Sequence, residues 1–226
     1  MIGTPDQSRA SAAQALAAIA GKLPRRLQAR VFSKRAKIPF KVALHRDSLM
    51  WRIEELGRAS LDCYDRDQHT AAILLVRGTM ESVAMLWMLH GLVKDYQGGD
   101  PDRLDMKLMR LVLGSKARAD RPDPVHVLVA IRKISKTLTH FEALYNDLSE
   151  YAHPNDAGTA SSFARIDPRG TQAIFDAAGE NAARRAWLLI ESLATTLMLV
   201  MPLYDDIASS WLRFVEKCEA DIEALE

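Results

Sequence analysis

The sequence predicts an all-α protein, an up-down bundle of about four long helices with a small β-hairpin inserted near residues 162–176. Most of the chain consists of long stretches with apolar residues at helical spacing, separated by short segments rich in Gly, Pro and Asp. A single stretch, around Pro168-Arg169-Gly170, has the pattern of two short strands flanking a tight turn. The chain of 226 residues is long enough to bury one sizeable core.

Composition and motifs argue against several classes of protein. The formal net charge is +1, so any electrostatic argument depends on local clusters. The sequence lacks glycine-rich phosphate loops, the HExxH zinc motif and a nucleophile elbow, which argues against a dinucleotide enzyme, a P-loop NTPase, a zincin and an α/β-hydrolase. The histidines and the two cysteines, Cys63 and Cys218, show no ligand spacing. We therefore expect no metal, no cofactor and reduced thiols in the cytoplasm.

The first 46 residues are expected to form an alanine-rich helix and a basic arm, attached to a bundle made by residues 47–226. The helix is predicted over Ser11–Gly21, after a loose start, and the segment from Lys22 to Arg46 contains no acidic residue. One interpretation is a surface that contacts phosphate groups or an acidic partner. The alternative is a solvated surface that balances acidic residues near the C-terminus, such as Glu219 and Glu223. The candidate nucleic-acid patch comprises Arg25, Arg26, Arg30, Lys34, Arg35, Lys37 and Lys41.

The helical patterns predict four long helices, over residues 40–66, 70–96, 125–153 and 180–201. The second of these is apolar nearly all round, which predicts a central, buried position. A short amphipathic helix is expected over residues 102–113, and another helix should follow Pro202 as far as residue 225. The most apolar run, Trp187–Tyr204, is interrupted by polar residues and by Pro202, so we expect a buried core helix and no membrane partner.

Two charged residues, Arg77 and Glu81, lie one turn apart in the otherwise apolar second helix. The simplest interpretation is an intrahelical ion pair, but a buried charge needs further partners. We therefore expect the pair to face another polar stripe, and the end of the third long helix offers one, stopped at His153 by Pro154. The other candidate residues of this region are Tyr145, Asn146, Ser149 and Glu150 on the helix, Asn155 in the following loop and Arg165 in the hairpin.

The segments Arg77-Gly-Thr-Met-Glu81 and Leu148-Ser-Glu-Tyr-Ala-His-Pro154 resemble those of HEPN-like helical proteins. These proteins include uncharacterised bacterial families and relatives of abortive-infection proteins, and the resemblance covers roughly residues 45–205. In active HEPN ribonucleases an Arg precedes a His by four to six intervening residues, and two copies build one metal-independent RNase site at a dimer interface. At that spacing from His153 this sequence has Asn146, Asp147 and Leu148, none of which is an arginine.

The resemblance implies a cytoplasmic homodimer that binds RNA or a nucleotide and acts in phage defence or stress. In a ribonuclease, His153 would be the general acid or base, with Asn146 beside it, and Arg77, Arg165 or Arg169 would supply the positive charge. The alternative is a catalytically inert binding or oligomerisation module, in which the same residues form a structural polar network.

Overall fold

The computed structural model describes residues 3–167, 169–175 and 182–225, and within them it is helical apart from one two-stranded hairpin. The predicted all-α fold class with a small β insertion is therefore confirmed. The first helices are α1 (Pro5–Ala20), α2 (Ala29–Phe32), α3 (Lys37–Tyr64), α4 (His69–Asp95) and α5 (Pro101–Leu113). They are followed by α6 (Val127–Ser135), α7 (Phe141–Ala152), α8 (Ala160–Phe163), β1 (Ala164–Ile166), β2 (Ala173–Phe175), α9 (Ala182–Met198) and α10 (Val200–Glu223).

The N-terminal helix α1 is part of the main core. It begins at Pro5 because Thr4 and Gln7 form a capping box, so the expectation of a loose start was wrong. Its apolar face packs on α3 and α9, and Leu16 and Ile19 are buried. Helix α3 in turn passes through residues 46 and 47 without a break, and Pro39 lies in its first turn, where a missing N–H costs little.

Helix α4 lies at the centre of the protein, as its apolar sequence predicts. It packs against α3, α6, α7, α9 and α10. Its buried side chains include Ile73, Met80 and Leu86, each with no solvent exposure. A second, smaller apolar cluster joins the start of α3, the end of α4, α5 and α10 through residues such as Val42, Val93, Leu104 and Phe214. The protein thus has one main core and a satellite core beside α5.

The prediction of one long helix over residues 125–153 was wrong in one respect, because this stretch is divided into the two helices α6 and α7. The Ser135 hydroxyl donates to the Ile131 carbonyl at 3.0 Å and accepts from the Glu142 backbone N–H at 2.8 Å, which satisfies a donor in the first turn of α7. The intervening segment contains β-branched Thr137 and Thr139, which favour helices less than unbranched residues do. The break places Phe141 in the main core with 2% exposure.

The fourth long helix also ends at a different place from the predicted one. The break between α9 and α10 falls at Leu199, and Pro202 lies in the first turn of α10, where no intrahelical N–H bond is lost. The hairpin is found where it was expected, with Ala164 opposite Phe175 and Ile166 opposite Ala173 in antiparallel register. The predicted start of the helix at residue 180, and residue 176 of the hairpin, lie outside the described residues.

Within the described residues, two helical stretches are long and apolar enough to cross a membrane: α4, and α9 together with α10. In each, 56% of the most apolar window is buried inside the protein. Core helices of globular proteins have the same length and composition, because a helix surrounded by other helices is apolar on most of its faces.

Candidate functional site

The two charges inside α4 meet α7 through one tyrosine. The Tyr145 hydroxyl accepts a hydrogen bond from Arg77 Nη2 at 3.2 Å and donates one to Glu81 Oε1 at 2.8 Å. The centre of the Arg77 guanidinium lies 5.1 Å from the centroid of the Tyr145 ring, within the range of a cation–π contact. Arg77 and Glu81 are therefore joined through Tyr145, and no direct ion pair forms between them.

This arrangement, which we call the Tyr145 bridge (Arg77, Glu81 and Tyr145), is a partly closed polar cluster. Tyr145 is 4% exposed, and burial followed by the hydrogen bond to Glu81 raises the pKa of its phenol. The Nε atom of Arg77 is buried and makes no hydrogen bond to any described residue. The bridge thus has a neutral phenol donor at its centre and two half-buried charges that offset one another.

The end of α7 is different, because its side chains are exposed and their contacts are local. His153 is the exposed C-terminal cap of α7; its backbone N–H donates to the Ser149 carbonyl, and its side chain has no partner among the described residues. The Ser149 hydroxyl donates to the Tyr145 carbonyl at 2.7 Å. Glu150 accepts from the Asn155 amide at 3.0 Å.

The remaining candidate residues of this region do not join the Tyr145 bridge. Asn146 is exposed on α7, and Arg165 is exposed on β1, where it is paired in register with Ile174. No hydrogen bond, ion pair or ring contact between described residues connects Arg77 with His153. The stripe predicted from Tyr145 to His153 therefore divides into an interior part at Tyr145 and an exposed part at His153.

The basic arm, the segment from Lys22 to Arg46, is a second candidate site. Several of its backbone and aromatic groups are anchored to the bundle. The Trp51 indole N–H donates to the Pro24 carbonyl at 3.1 Å. The Phe32 ring lies 6.1 Å from the ring of Phe40 and 5.9 Å from that of Trp211, edge-on to the latter. These aromatic contacts hold the chain around α2 against α3 and α10.

One carboxylate, that of Glu219 in α10, fixes the next part of the arm. It accepts hydrogen bonds from the backbone N–H of Lys34 at 2.8 Å and of Arg35 at 3.2 Å, and from the hydroxyl of Ser33. The Ser33 hydroxyl, and then the backbone donors, hold the pKa of Glu219 below its usual value. The acidic C-terminal helix therefore does meet the arm, largely through the arm's backbone.

The cationic side chains of the arm divide into two groups. Lys41 donates to both Asp105 oxygens, at 2.7 and 2.8 Å, and Arg35 lies 3.6 Å from Glu223. These pairs agree with the interpretation of a basic surface that balances acidic residues. The others are exposed, and their guanidinium or ammonium groups make no hydrogen bond or ion pair with a described residue; they are Arg25, Arg26, Arg30, Lys34 and Lys37.

Sequence reasoning missed the residues that hold the arm in place. Trp51 lies 27 residues after its partner Pro24, Trp211 is distant in sequence, and Glu219 was considered only as a balancing charge. A partial signal existed in Phe32 and Phe40, because apolar aromatic residues in a basic segment need a surface to pack on. Within the described residues, no three His, Cys, Asp or Glu side chains are grouped to hold a metal ion.

Comparisons with known protein families, with curated proteins and with solved structures give no match for this chain.

Proposed function

We propose that this chain is a HEPN-like helical protein that binds RNA through its basic arm without cleaving it. One observation carries the proposal: the arm's backbone and aromatic groups are fixed to the bundle, while five of its cationic side chains stay exposed and unpaired. They are Arg25, Arg26, Arg30, Lys34 and Lys37.

An anchored arm is a better phosphate binder than a loose basic tail. Ordering a residue costs about 1–2 kcal/mol of backbone entropy, and the anchors at Pro24, Phe32 and Lys34 provide that order before RNA arrives. Arginine is suited to phosphate because its planar donors match the phosphate oxygens. The attraction is local, because the formal net charge of the whole chain is only +1.

Among the described residues, Arg77 and His153, which a cleavage site would use together, make no contact with each other. Arg77 makes its contacts with Tyr145 and lies in the Tyr145 bridge, whereas His153 is exposed at the end of α7. Stabilising the charge of a phosphorane requires a cation close to the general acid or base. Binding without cleavage is therefore the function that this chain's own geometry supports best.

The test compares two triple variants that change the net charge equally. Arg25→Glu/Arg26→Glu/Arg30→Glu removes exposed cations of the arm, and Arg66→Glu/Lys116→Glu/Lys136→Glu removes exposed cations elsewhere. Binding of a labelled single-stranded RNA is followed by fluorescence anisotropy from 50 to 300 mM salt.

We expect the arm variant to lose at least about tenfold in affinity, and its salt dependence to flatten by about 2 in the log–log slope for three lost phosphate contacts. The control variant should stay within about threefold of the wild type. An equal loss of affinity in both variants would show that only the net charge matters and that the arm has no specific role in RNA binding. Binding that does not depend on salt would contradict the proposal outright.

A ribonuclease is the second candidate function, and the exposure of His153 is the observation in its favour. A second copy of the chain can approach an exposed side chain at a helix end, so a homodimer could bring two His153 residues together. Light scattering that shows a dimer, combined with RNA cleavage that depends on His153, would favour this function over binding alone.

A further inference from the structure

A surface groove separate from the sites described above lies between the second half of α4, helix α5 and the start of α6. Its volume is about 850 Å³. Small-molecule sites in proteins usually have volumes of roughly 300–1,000 Å³, so this groove is large enough for a ligand. It is separate from the Tyr145 bridge, the end of α7 and the arm, none of whose residues line it.

The floor of the groove is mainly aliphatic. Its aliphatic lining residues are Met88, Leu92, Leu104, Leu111, Val125 and Val129, and Trp87, Tyr96 and His126 add aromatic rings. Glycine at position 91 keeps the floor open, because a Cβ atom there would meet only one atom within 4 Å, the Asp95 Oδ2 at 4.0 Å. A glycine inside a helix costs about 1 kcal/mol relative to alanine, so this position gives up helix stability where it leaves space in the groove.

The rim of the groove is positively charged. Arg103, Lys107 and Arg110 follow one another along one face of α5 at i, i+4 and i+7, and Lys133 faces them from α6. The acidic groups in the lining are Asp95 and Asp100. Lysine and arginine thus outnumber acids around an apolar floor, which is complementary to a ligand with an apolar body and an anionic head.

Two polar groups of the lining, Asp100 and Tyr96, are already engaged in holding the fold. The Asp100 carboxylate caps α5 by accepting from the Arg103 backbone N–H at 2.8 Å. The Tyr96 hydroxyl donates to Asp221, which also accepts from the Gly99 N–H at 2.6 Å. Reading a nucleobase needs free donors and acceptors at the base edge, and these two groups are not free for it. Six aliphatic side chains line the groove, and they fit a flexible aliphatic body.

We propose that this groove binds an acyl-chain anion, with the chain on the aliphatic floor and the anionic head among Lys107, Arg110 and Lys133. The head can be the carboxylate of a fatty acid or the phosphate of an alkyl or acyl phosphate, because a lysine ammonium and an arginine guanidinium bind both. This site does not depend on RNA binding by the arm, and the arm triple variant should bind the acyl-chain anion as the wild type does.

Isothermal titration calorimetry with laurate and with dodecyl phosphate, each below its micelle concentration, tests the proposal. We expect saturable binding of at least one of them with one site per chain, and the probe that binds more tightly identifies the head group. Gly91→Leu should weaken binding at least tenfold by filling the floor, while keeping or raising the melting temperature. Lys107→Gln/Lys133→Gln should also weaken binding, whereas Lys116→Gln/Lys136→Gln, which lies outside the groove, should not.

Three results would overturn the proposal. One is the absence of saturable binding of both probes by the wild-type protein. Another is equal binding by the wild type and Gly91→Leu, checked in parallel with the lysine pair in case the glycine variant folds poorly. The third is equally tight binding of uncharged dodecyl maltoside, or tighter binding of ATP, since either would show that the site does not select an acyl chain with an anionic head.

Discussion

The Tyr145 bridge and the basic arm both hold charged residues in fixed positions, but they use the charges differently. In the bridge, Arg77 and Glu81 of α4 are opposite charges that both bind the phenol of Tyr145 in α7. In the arm, the Glu219 carboxylate binds backbone N–H groups of Lys34 and Arg35, so the exposed Lys34 side chain keeps its charge for solvent or a ligand. A charged residue therefore contributes to stability where its side chain is hydrogen-bonded within the fold, and its side chain is available for binding where only its backbone is hydrogen-bonded.

The largest expected effect is on stability, from Tyr145→Ala. It removes a ring that is 4% exposed and leaves Arg77 and Glu81 without their shared partner, so the free energy of unfolding should fall by about 3–5 kcal/mol. Tyr145→Phe keeps the ring and loses only the hydroxyl, and should cost about 1–3 kcal/mol. Urea denaturation followed by circular dichroism measures both, and RNA affinity of the folded fraction should not change.

A double-mutant cycle isolates the role of the hydroxyl. In a background carrying Arg77→Met and Glu81→Met, the change Tyr145→Phe should cost less than about 0.5 kcal/mol, because no charged partner remains. An undiminished cost in that background would mean that the hydroxyl contributes through something other than the bridge. A loss of RNA affinity in Tyr145→Phe would show that the Tyr145 bridge also contributes to RNA binding, contrary to the proposal that the arm alone does so.

The overall architecture was predictable because it depends on local periodicity. The apolar surface of α4 predicted its central position, and the pattern around Gly170 predicted the hairpin. The errors occurred where a side chain outweighed the pattern. Ser135 caps α7 and so permits the break that divides the third helix, and Pro202 is accommodated in the first turn of α10 rather than ending α9.

The candidate sites were less predictable, because their contacts join residues far apart in sequence. The need of Arg77 and Glu81 for a partner pointed to the stripe from Tyr145 to His153, and only Tyr145 of that stripe contacts them. Nothing local indicated that His153 lies apart from them, because helical spacing shows which residues share a face but not how far that face extends into solvent. The contact between Glu219 and Ser33 spans 186 residues and had no local signal.

A smaller effect is expected from Glu219→Gln, with a characteristic pH dependence. The pKa of Glu219 is lowered in the folded protein, so its carboxylate contributes stability above the unfolded pKa near 4.5 and loses that contribution as the pH falls below this value. The variant should be less stable than the wild type by at most about 1 kcal/mol at pH 7, since the group is partly exposed. The difference should shrink as the pH falls from about 4.5 towards 3.

Thermal unfolding of both proteins from pH 3 to pH 7 measures this difference, and comparing them cancels the titration of other carboxylates. Glu216→Gln, which removes an exposed carboxylate from the same helix, is the matched control and should be about as stable as the wild type at pH 7. A stability difference that stays constant down to pH 3 would show that the charge on Glu219 does not hold the arm. RNA affinity of Glu219→Gln should fall less than that of the arm triple variant, because the cations remain.

The smallest expected effect is that of His153→Ala. This variant tests whether the exposed end of α7 contributes to stability, RNA binding or RNA cleavage. The side chain is exposed and has no partner among the described residues, so stability should change by less than about 0.5 kcal/mol. RNA affinity should also be unchanged, because the arm supplies the phosphate contacts.

Incubation of labelled RNA with each protein in the presence of EDTA, followed on a denaturing gel, should show intact RNA in both cases. Cleavage by the wild type that disappears in His153→Ala would place a catalytic group at the end of α7 and favour the ribonuclease. In that event we expect the missing cation to come from a second copy or from the hairpin, since Arg77 is engaged with Tyr145.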